Sequence, residues 1–584
     1  MAHKVNRSNS DTSKFSQFIL SFVFLGCLMS VSWGTTYYVD YVGGANTNAG
    51  TSTALAWKTC PGDSAASGVA AATMLKAGDS LVFKGGVVYT GTVKIRTSGT
   101  AGASIVYDGN SSGTFGTGKA IIGGQNLRYH GFEGAIVSYV IVQNFEIKDM
   151  KYNATASWAS GAGLSIDDAS YVTISGCSIH EMGYWNNDGS IWPAGSGVCM
   201  LRPTNCLITG CEITKTGLAG ISLNGAVNCI ISKNNIHDYL TWGVDLGGSF
   251  RVATGNNVCD NTIHDLWQYD AGYYGAAGDP PHTDYVFIRM GDGFHPVKNT
   301  VERNLFYNNC TFTNFGGTAM VFLSYADSST IRNNIFINPH EYCAAYFGWT
   351  SAGTKFYNNT IYAPRTGGLR LETNGNNDIR NNIIVGASEL IDYAGAVDLQ
   401  NLICDYNCYY SANTARYVVQ ITPYTAHTFA AWQAMGYCPH GKVAAAISDM
   451  QFANVTGYPT ACQTMDLHLT ANSLAINAGA TLTTGCLNDK DFVARPQQGI
   501  WDIGAYEYKA STVVSQPMVQ RSIQEHDQPV SISKNELAKQ IIKNGSSLVD
   551  LSGKATGLQE VRNHGMYFLF NGKTQETRKI IVVR

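Results

Sequence analysis

The sequence predicts an all-β chain wound as a parallel β-helix, a solenoid of stacked coils. Three observations carry this: a short Cys/Asn phrase recurs, an alternating phrase keeps pace with it, and charge is scarce. The first phrase reads Cys177-Ser-Ile-His180, Cys211-Glu-Ile-Thr214, Asn234-Asn-Ile-His237, Asn261-Thr-Ile-His264, Asn304-Leu-Phe-Tyr307, Asn334-Ile-Phe-Ile337, Asn359-Thr-Ile-Tyr362, Asn382-Ile-Ile-Val385 and Asn407-Cys-Tyr-Tyr410. Its steps are 34, 23, 27, 43, 30, 25, 23 and 25 residues, and self-similarity at such periods marks a solenoid. The second phrase includes Gly163-Leu-Ser-Ile-Asp167, Gly220-Ile-Ser-Leu-Asn224 and Gly243-Val-Asp-Leu-Gly247. Its strict alternation predicts strands with Leu164, Ile166, Ile221, Leu223, Val244 and Leu246 inward. Charged residues make up 14% of the chain and Gly 62 of its 584 residues, which suits such a fold.

The Asn column has a physical reason. Equivalent residues of stacked coils lie about 4.8 Å apart. An amide both donates and accepts, so Asn on Asn builds a hydrogen-bonded ladder. The plainer alternative, Asn as a turn former, places it at the same corner.

At the N-terminus, Lys4, Arg7 and Lys14 precede an apolar run, Phe15–Val31, and then Ser32-Trp-Gly34. This predicts a secretory signal peptide over residues 1–34, with an uncleaved anchor as the alternative. Fourteen cysteines follow Cys27. Export permits disulfides, but Cys177/Cys211 and Cys206/Cys229 fall at equivalent coil positions, and buried stacked thiols are the preferred reading. There is no Cys-x-x-Cys pair, so no zinc site is expected. The net charge of −3 argues against a nucleic-acid partner.

From residue 35 the chain reads Thr35-Thr-Tyr-Tyr-Val-Asp40, a Gly/Asn-rich loop, Ala56-Trp-Lys-Thr59 and Gly78-Asp-Ser-Leu-Val-Phe-Lys-Gly-Gly86. Near its far end come Asp466-Leu-His-Leu469, Asp489-Lys-Asp491, Arg495-Pro496 and Asp502-Ile-Gly-Ala-Tyr-Glu507. These segments resemble the opening and closing of secreted bacterial right-handed β-helix proteins of the pectate-lyase-like superfamily. The resemblance covers residues 35–508 and implies a capping helix at Val69–Leu75, export to the medium or cell surface, and a polysaccharide ligand. It does not fix a reaction, because one fold hosts many. The expected divisions are cap and first coils at 35–130, core at 131–410, last coils and closing segment at 411–508, and a linker at 509–529. Residues 530–584, with Gly565-Met-Tyr-Phe568 and Thr577-Arg-Lys-Ile-Ile-Val-Val-Arg584, resemble a type A sorting domain of type IX secretion. That resemblance implies a small β-sandwich whose partner is the secretion machinery. A monomer is expected.

Two steps of the repeat are lengthened, and long loops on such scaffolds are often functional. One carries Tyr184, Trp185 and Trp192; the other carries Trp267, Tyr269, Tyr273 and Tyr274. They leave the same corner about three coils, or roughly 14 Å, apart, and their flat rings suit sugar faces. Outward strand positions form a floor between them: Ser165, Asp167, Ser222, Asn224, Asp245, Arg289, Arg370 and Glu372. Asp245 and Arg289 fall on adjacent coils, where an ion pair is expected. The densest titratable segment holds His282, Asp284, Arg289, Asp292 and His295, a candidate active site.

Two chemistries fit these residues. β-Elimination from a uronic-acid glycan needs a cation on the carboxylate, Arg289 or the more distant Arg370, and a base, His282, His295 or Tyr274. Hydrolysis needs two carboxylates, Asp245 with Asp284 or Asp292. Elimination is placed slightly ahead. A binding or adhesive solenoid is the third reading; it would keep the aromatic loops without needing the titratable cluster. No cofactor is read from the residues. Ca2+ stays open, although Asp167-Asp168 is the only adjacent acidic pair on the floor and no lysine matches a floor position.

Overall fold

The computed structural model describes residues 34–509, except 152–160, 184–193, 268–282, 311–318, 340–342, 364–366, 387–388, 483–485 and 498. Beyond these it describes the strands Val530–Ser533, Ser546–Val549, Gly565–Asn571 and Glu576–Val583.

Three sheets of thirteen strands each run the length of the helix, and from Ser80–Phe83 to Val418–Gln420 each coil gives one strand to each. Sheet one runs from Thr36–Val39 to Ile403–Asp405, and sheet two from Val88–Tyr89 to Lys442–Val443. Sheet three runs from Val93–Ile95 to Val418–Gln420, with Thr425–His427 added antiparallel at its end. All other pairings in the three sheets are parallel and in register; Ser222, for example, pairs with Asp245 and then Asp245 with Phe287. The predicted inward residues Leu164, Ile166, Ile221, Leu223, Val244 and Leu246 are all fully buried. Each such side chain contributes about 1.5–3 kcal/mol of burial.

The corner between sheets one and two is built the same way coil after coil. The residue before each phrase position is left-handed: Gly176, Gly210, Lys233, Asp260, Arg303, Asn333, Asn358, Asn381 and Tyr406 all have φ between 51 and 64°. For a non-glycine residue that backbone costs about 1–2 kcal/mol, and the next residue offsets the cost. Each ladder Asn from Asn234 to Asn382 donates through Nδ2 to Oδ1 of the next, over 2.9–3.2 Å. Each also takes the preceding ladder position's backbone N–H on its own Oδ1, as Asn304 does from Asn261. The ladder is therefore real, not a set of independent turn formers. A second, shorter column stands at the corner between sheets three and one, where Asn256 donates to Asn299. Both columns begin in cysteine: Asn234 caps the Cys211 amide, and Asn256 caps that of Cys229.

Both ends are covered, which hides core and strand edges. At the start, the helix Gly68–Ala72 lies where a cap was expected. Trp57, fully buried, stacks on Tyr37 with ring centroids 4.6 Å apart. At the far end the helix Phe429–Ala434 seats Trp432 in the core. The closing segment lies along the outer face of sheet two, where Met450, Leu467, Ala475 and Ile503 cover Ile337, Ile383 and Val385. A buried ion pair, Arg495 to Glu507 at 2.7 Å, holds the segment together, and Asn333 Nδ2 ties it to the coils by donating to Asn488 O over 2.9 Å.

Residues 511–584 form a second unit. Its four strands are ordered Val530–Ser533, Glu576–Val583, Gly565–Asn571, Ser546–Val549, the first pairing parallel and the rest antiparallel. Among the described residues, no helix is long and apolar enough to cross a membrane.

Candidate functional site

The two lengthened steps both join sheet two to sheet three, after the strands Ser178–Met182 and Thr262–Leu266, so they leave one corner three coils apart. Tyr184, Trp185, Trp192, Tyr269, Tyr273, Tyr274 and His282 lie outside the described residues. Trp267 is described; it is partly buried and its amide donates to Tyr239 O over 2.9 Å.

The floor positions do face outward from sheet three, yet the centre of that floor is not open. Arg289 reaches diagonally across one strand and binds Asp245 through Nε at 2.8 Å and a terminal nitrogen at 3.1 Å. The guanidinium lies over the rings of Trp242 and Phe287, at 5.2 and 5.9 Å. Ser222 Oγ donates to the same carboxylate over 2.9 Å. Asp245 is left 1% exposed. Further along, Phe287, Phe322 and Tyr346 stack one per coil with centroids 5.0 and 4.7 Å apart. Arg370 covers Tyr346 at 5.3 Å and is paired with Glu372, which also accepts from the Tyr346 hydroxyl.

Of the predicted titratable cluster, the described members Asp284, Arg289, Asp292 and His295 are not gathered at one point, and this corrects that part of the sequence reading. Asp284 opens its strand, fully buried, and accepts from the Ala319 amide. Arg289 closes the same strand, five residue steps or about 16 Å away. His295 lies beyond it in the following turn, its ring 5.3 Å from that of Tyr325. Asp292 caps the Phe250 amide in that turn. Residues close in sequence are spread along the strand, so Asp284 and His295 cannot act on one atom. Asp245 and Arg289 do meet, but as an ion pair in which the guanidinium, lying over Trp242 and Phe287, covers a buried carboxylate.

The open concavity lies three coils earlier on the same face. A cleft of about 770 Å³ is lined by Lys94, Arg128, Tyr129, His130, Glu133, Ser165, Asp167, Ser196 and Cys199, among others. Register explains the gathering: Lys94 pairs with Glu133, Glu133 with Ser165, and Ser165 with Cys199. His130 Nδ1 is 3.9 Å from Glu133 Oε2, and Lys94 Nζ is 3.5 Å from Oε1. Burial holds the His130 imidazole below its ordinary pKa, against the pull of Glu133 and Asp167. Burial likewise raises the Asp167 carboxyl, although it accepts from the Leu201 amide. Cys199 is pushed up to about 12 by burial, with Asp167 and Asp245 adding to it, so its thiol is inert.

Of these groups only Asp167 and Ser165 stood among the predicted floor positions. The missed signal is Gly131-Phe-Glu-Gly134, the alternating phrase one coil before the Cys/Asn phrase begins. Ca2+ needs six to eight oxygens. Among the described lining residues the cleft offers two carboxylates, one beside Lys94, too few for such a shell by themselves. Among the described residues no group of three or more His, Cys, Asp or Glu is arranged to hold a metal.

With parallel sheets, ladder and cleft in place, the class is a β-helix carrying a charged trough on one face. Residues 99–278 and 288–420 match the family model described as "Right handed beta helix region". The chain belongs to that family. No curated protein matches it. Among solved structures it is similar to pectate lyase Pel9A, at 12% identity and a TM-score of 0.45, covering 82% of this chain and 98% of that one. It is also similar to the GH136 lacto-N-biosidase from Eubacterium ramulus, at 13% identity and a TM-score of 0.44, covering 70% and 67%. A third is PfbA, a surface adhesin of Streptococcus pneumoniae, at 11% identity and a TM-score of 0.41, covering 59% and 84%.

Proposed function

We propose that the protein is an exported enzyme that cleaves a uronic-acid-containing polysaccharide by β-elimination in the Lys94–His130–Asp167 cleft. The observation that carries this reading is a cleft whose lining brings together the His130 imidazole, its pKa lowered by burial, with Lys94 and Arg128. His130, neutral at pH 7, takes the proton α to the uronate carboxylate. Lys94 and Arg128 offset the charge that develops on that carboxylate. The bond from C4 to the glycosidic oxygen then breaks, and the Tyr129 hydroxyl returns a proton to the departing sugar.

A second reading, hydrolysis, rests on Glu133 and Asp167. Glu133 pairs with Ser165 and Asp167 lies two residues on, so both carboxylates project from one face of adjacent strands, as a two-carboxylate mechanism needs. Burial makes Asp167 the acid of that pair. Screening the full chain against uronate-bearing and neutral glycans separates the readings. Elimination yields an unsaturated, ultraviolet-absorbing end, whereas hydrolysis yields reducing ends without it. Under the first reading His130→Ala loses about 10²–10⁴-fold in kcat, and activity falls as pH drops through the lowered imidazole pKa. Binding without any cleavage would instead mark an adhesive solenoid and refute both.

A further inference from the structure

We propose that Cys404 and Cys438 form a disulfide that fastens the C-terminal cap to the last coil. Cys404 points inward from the final strand of sheet one, Ile403–Asp405, below Ile379 in the stack. Cys438 follows the capping helix Phe429–Ala434 and occupies the place of the next coil: its amide donates to Cys404 O over 2.7 Å. Backbone neighbours of this kind have Cα atoms about 5 Å apart, within the 4.4–6.8 Å that a disulfide spans. Both residues are buried free cysteines in the structure, and their sulfurs are 3.0 Å apart. That is closer than unbonded heavy atoms ordinarily pack, about 3.5–4.0 Å.

The surroundings suit either redox state. The Tyr409 hydroxyl lies 3.2 Å from Cys438 Sγ and 3.6 Å from Cys404 Sγ. Asn407, the last rung of the amide ladder, turns its Nδ2 to both sulfurs at 3.7 and 3.8 Å. The ladder thus ends on the sulfur pair, much as it begins on cysteines. The oxidant is an external disulfide, small-molecule or protein, of the kind found in exported compartments. The Cys438 thiolate attacks one of its sulfurs and expels a thiolate. Cys404, once deprotonated, then displaces the second. The new bond joins Cys404 to Cys438, and the two thiol protons and two electrons leave on the two thiol groups of the reduced oxidant. This must happen before the cap closes over the pair.

The test is to refold the full chain in a glutathione redox buffer, alkylate it in denaturant without reductant, and digest it for mass spectrometry. The expected result is one linked peptide pair, Cys404 with Cys438, that disappears on reduction. Reductant should lower the melting temperature of the wild type by several degrees, and should not move that of Cys438→Ser. Recovery of both cysteines alkylated, or of Cys404 joined to another cysteine, overturns the proposal. So does a melting temperature of the wild type that reductant leaves unchanged.

Discussion

Replacing Asn304 by Ala tests the ladder at its middle. Asn304 Nδ2 donates to Val258 O over 2.8 Å and to Asn334 Oδ1 over 3.0 Å. Its Oδ1 accepts from the amide and side chain of Asn261, each over 3.0 Å. All four bonds are buried, so deletion leaves polar groups on two neighbouring coils without water. At about 1 kcal/mol net for each hydrogen bond, Asn304→Ala costs about 4 kcal/mol. The chain itself uses cysteine at the equivalent positions 177 and 211, so Asn304→Cys, which keeps a polarizable atom in the column, costs about half as much. Urea unfolding followed by circular dichroism gives both values. Hydrogen exchange adds a local reading, because the Asn261 amide loses its acceptor and exchanges faster in the Ala variant. A loss below about 1 kcal/mol, or equal losses for Ala and Cys, would refute the ladder as a source of stability.

Two other perturbations follow from charged pairs on the outer faces. Burial opposes charge on His237, but the hydrogen bonds it donates to Asp238 and Glu212 override it and raise the imidazole from 6.5 to about 9. Glu212 is on the preceding coil at 2.6 Å, and the ring of His264 stacks on the other side at 4.8 Å. A pKa raised on folding stabilises fully below pH 6.5 and is lost as pH climbs toward 9. The expected slope amounts to about 2–3 kcal/mol, after allowing for the part of the ring that water reaches, and His237→Asn should flatten it in denaturation series from pH 6 to 10. On sheet three, Asp245→Ala leaves the Arg289 guanidinium, about a quarter exposed, lying over Trp242 and Phe287 without its carboxylate and should cost about 1–3 kcal/mol. Asp245→Leu with Arg289→Met should recover most of that, and calorimetry of the two variants beside the wild type checks it.

The helix was legible because its signal is repetitive. Each coil restates the same left-handed turn, amide and inward pair, so Asn234 and Asn382 report the same geometry 148 residues apart. The site is the opposite case. Lys94, His130 and Glu133 come from two early coils that lack the Asn phrase, and their gathering depends on register between strands. The Asp245–Arg289 pair was legible as adjacent coils, since both residues sit on alternating strands. Its burial was not, because that depends on where a long guanidinium lays its plane across Trp242 and Phe287. The dense run around Asp284 misled for a related reason: an extended strand carries its two ends far apart however crowded the sequence looks.

The ladder stands at one corner of the coil while the variable segments leave from another. Insertions bringing the repeat from 23 to 43 residues leave its amide contacts within 2.9–3.2 Å. The spine is thereby insulated from whatever is mounted on the working edge. New segments could be spliced between the second and third sheets without retuning the axle on which the coils turn.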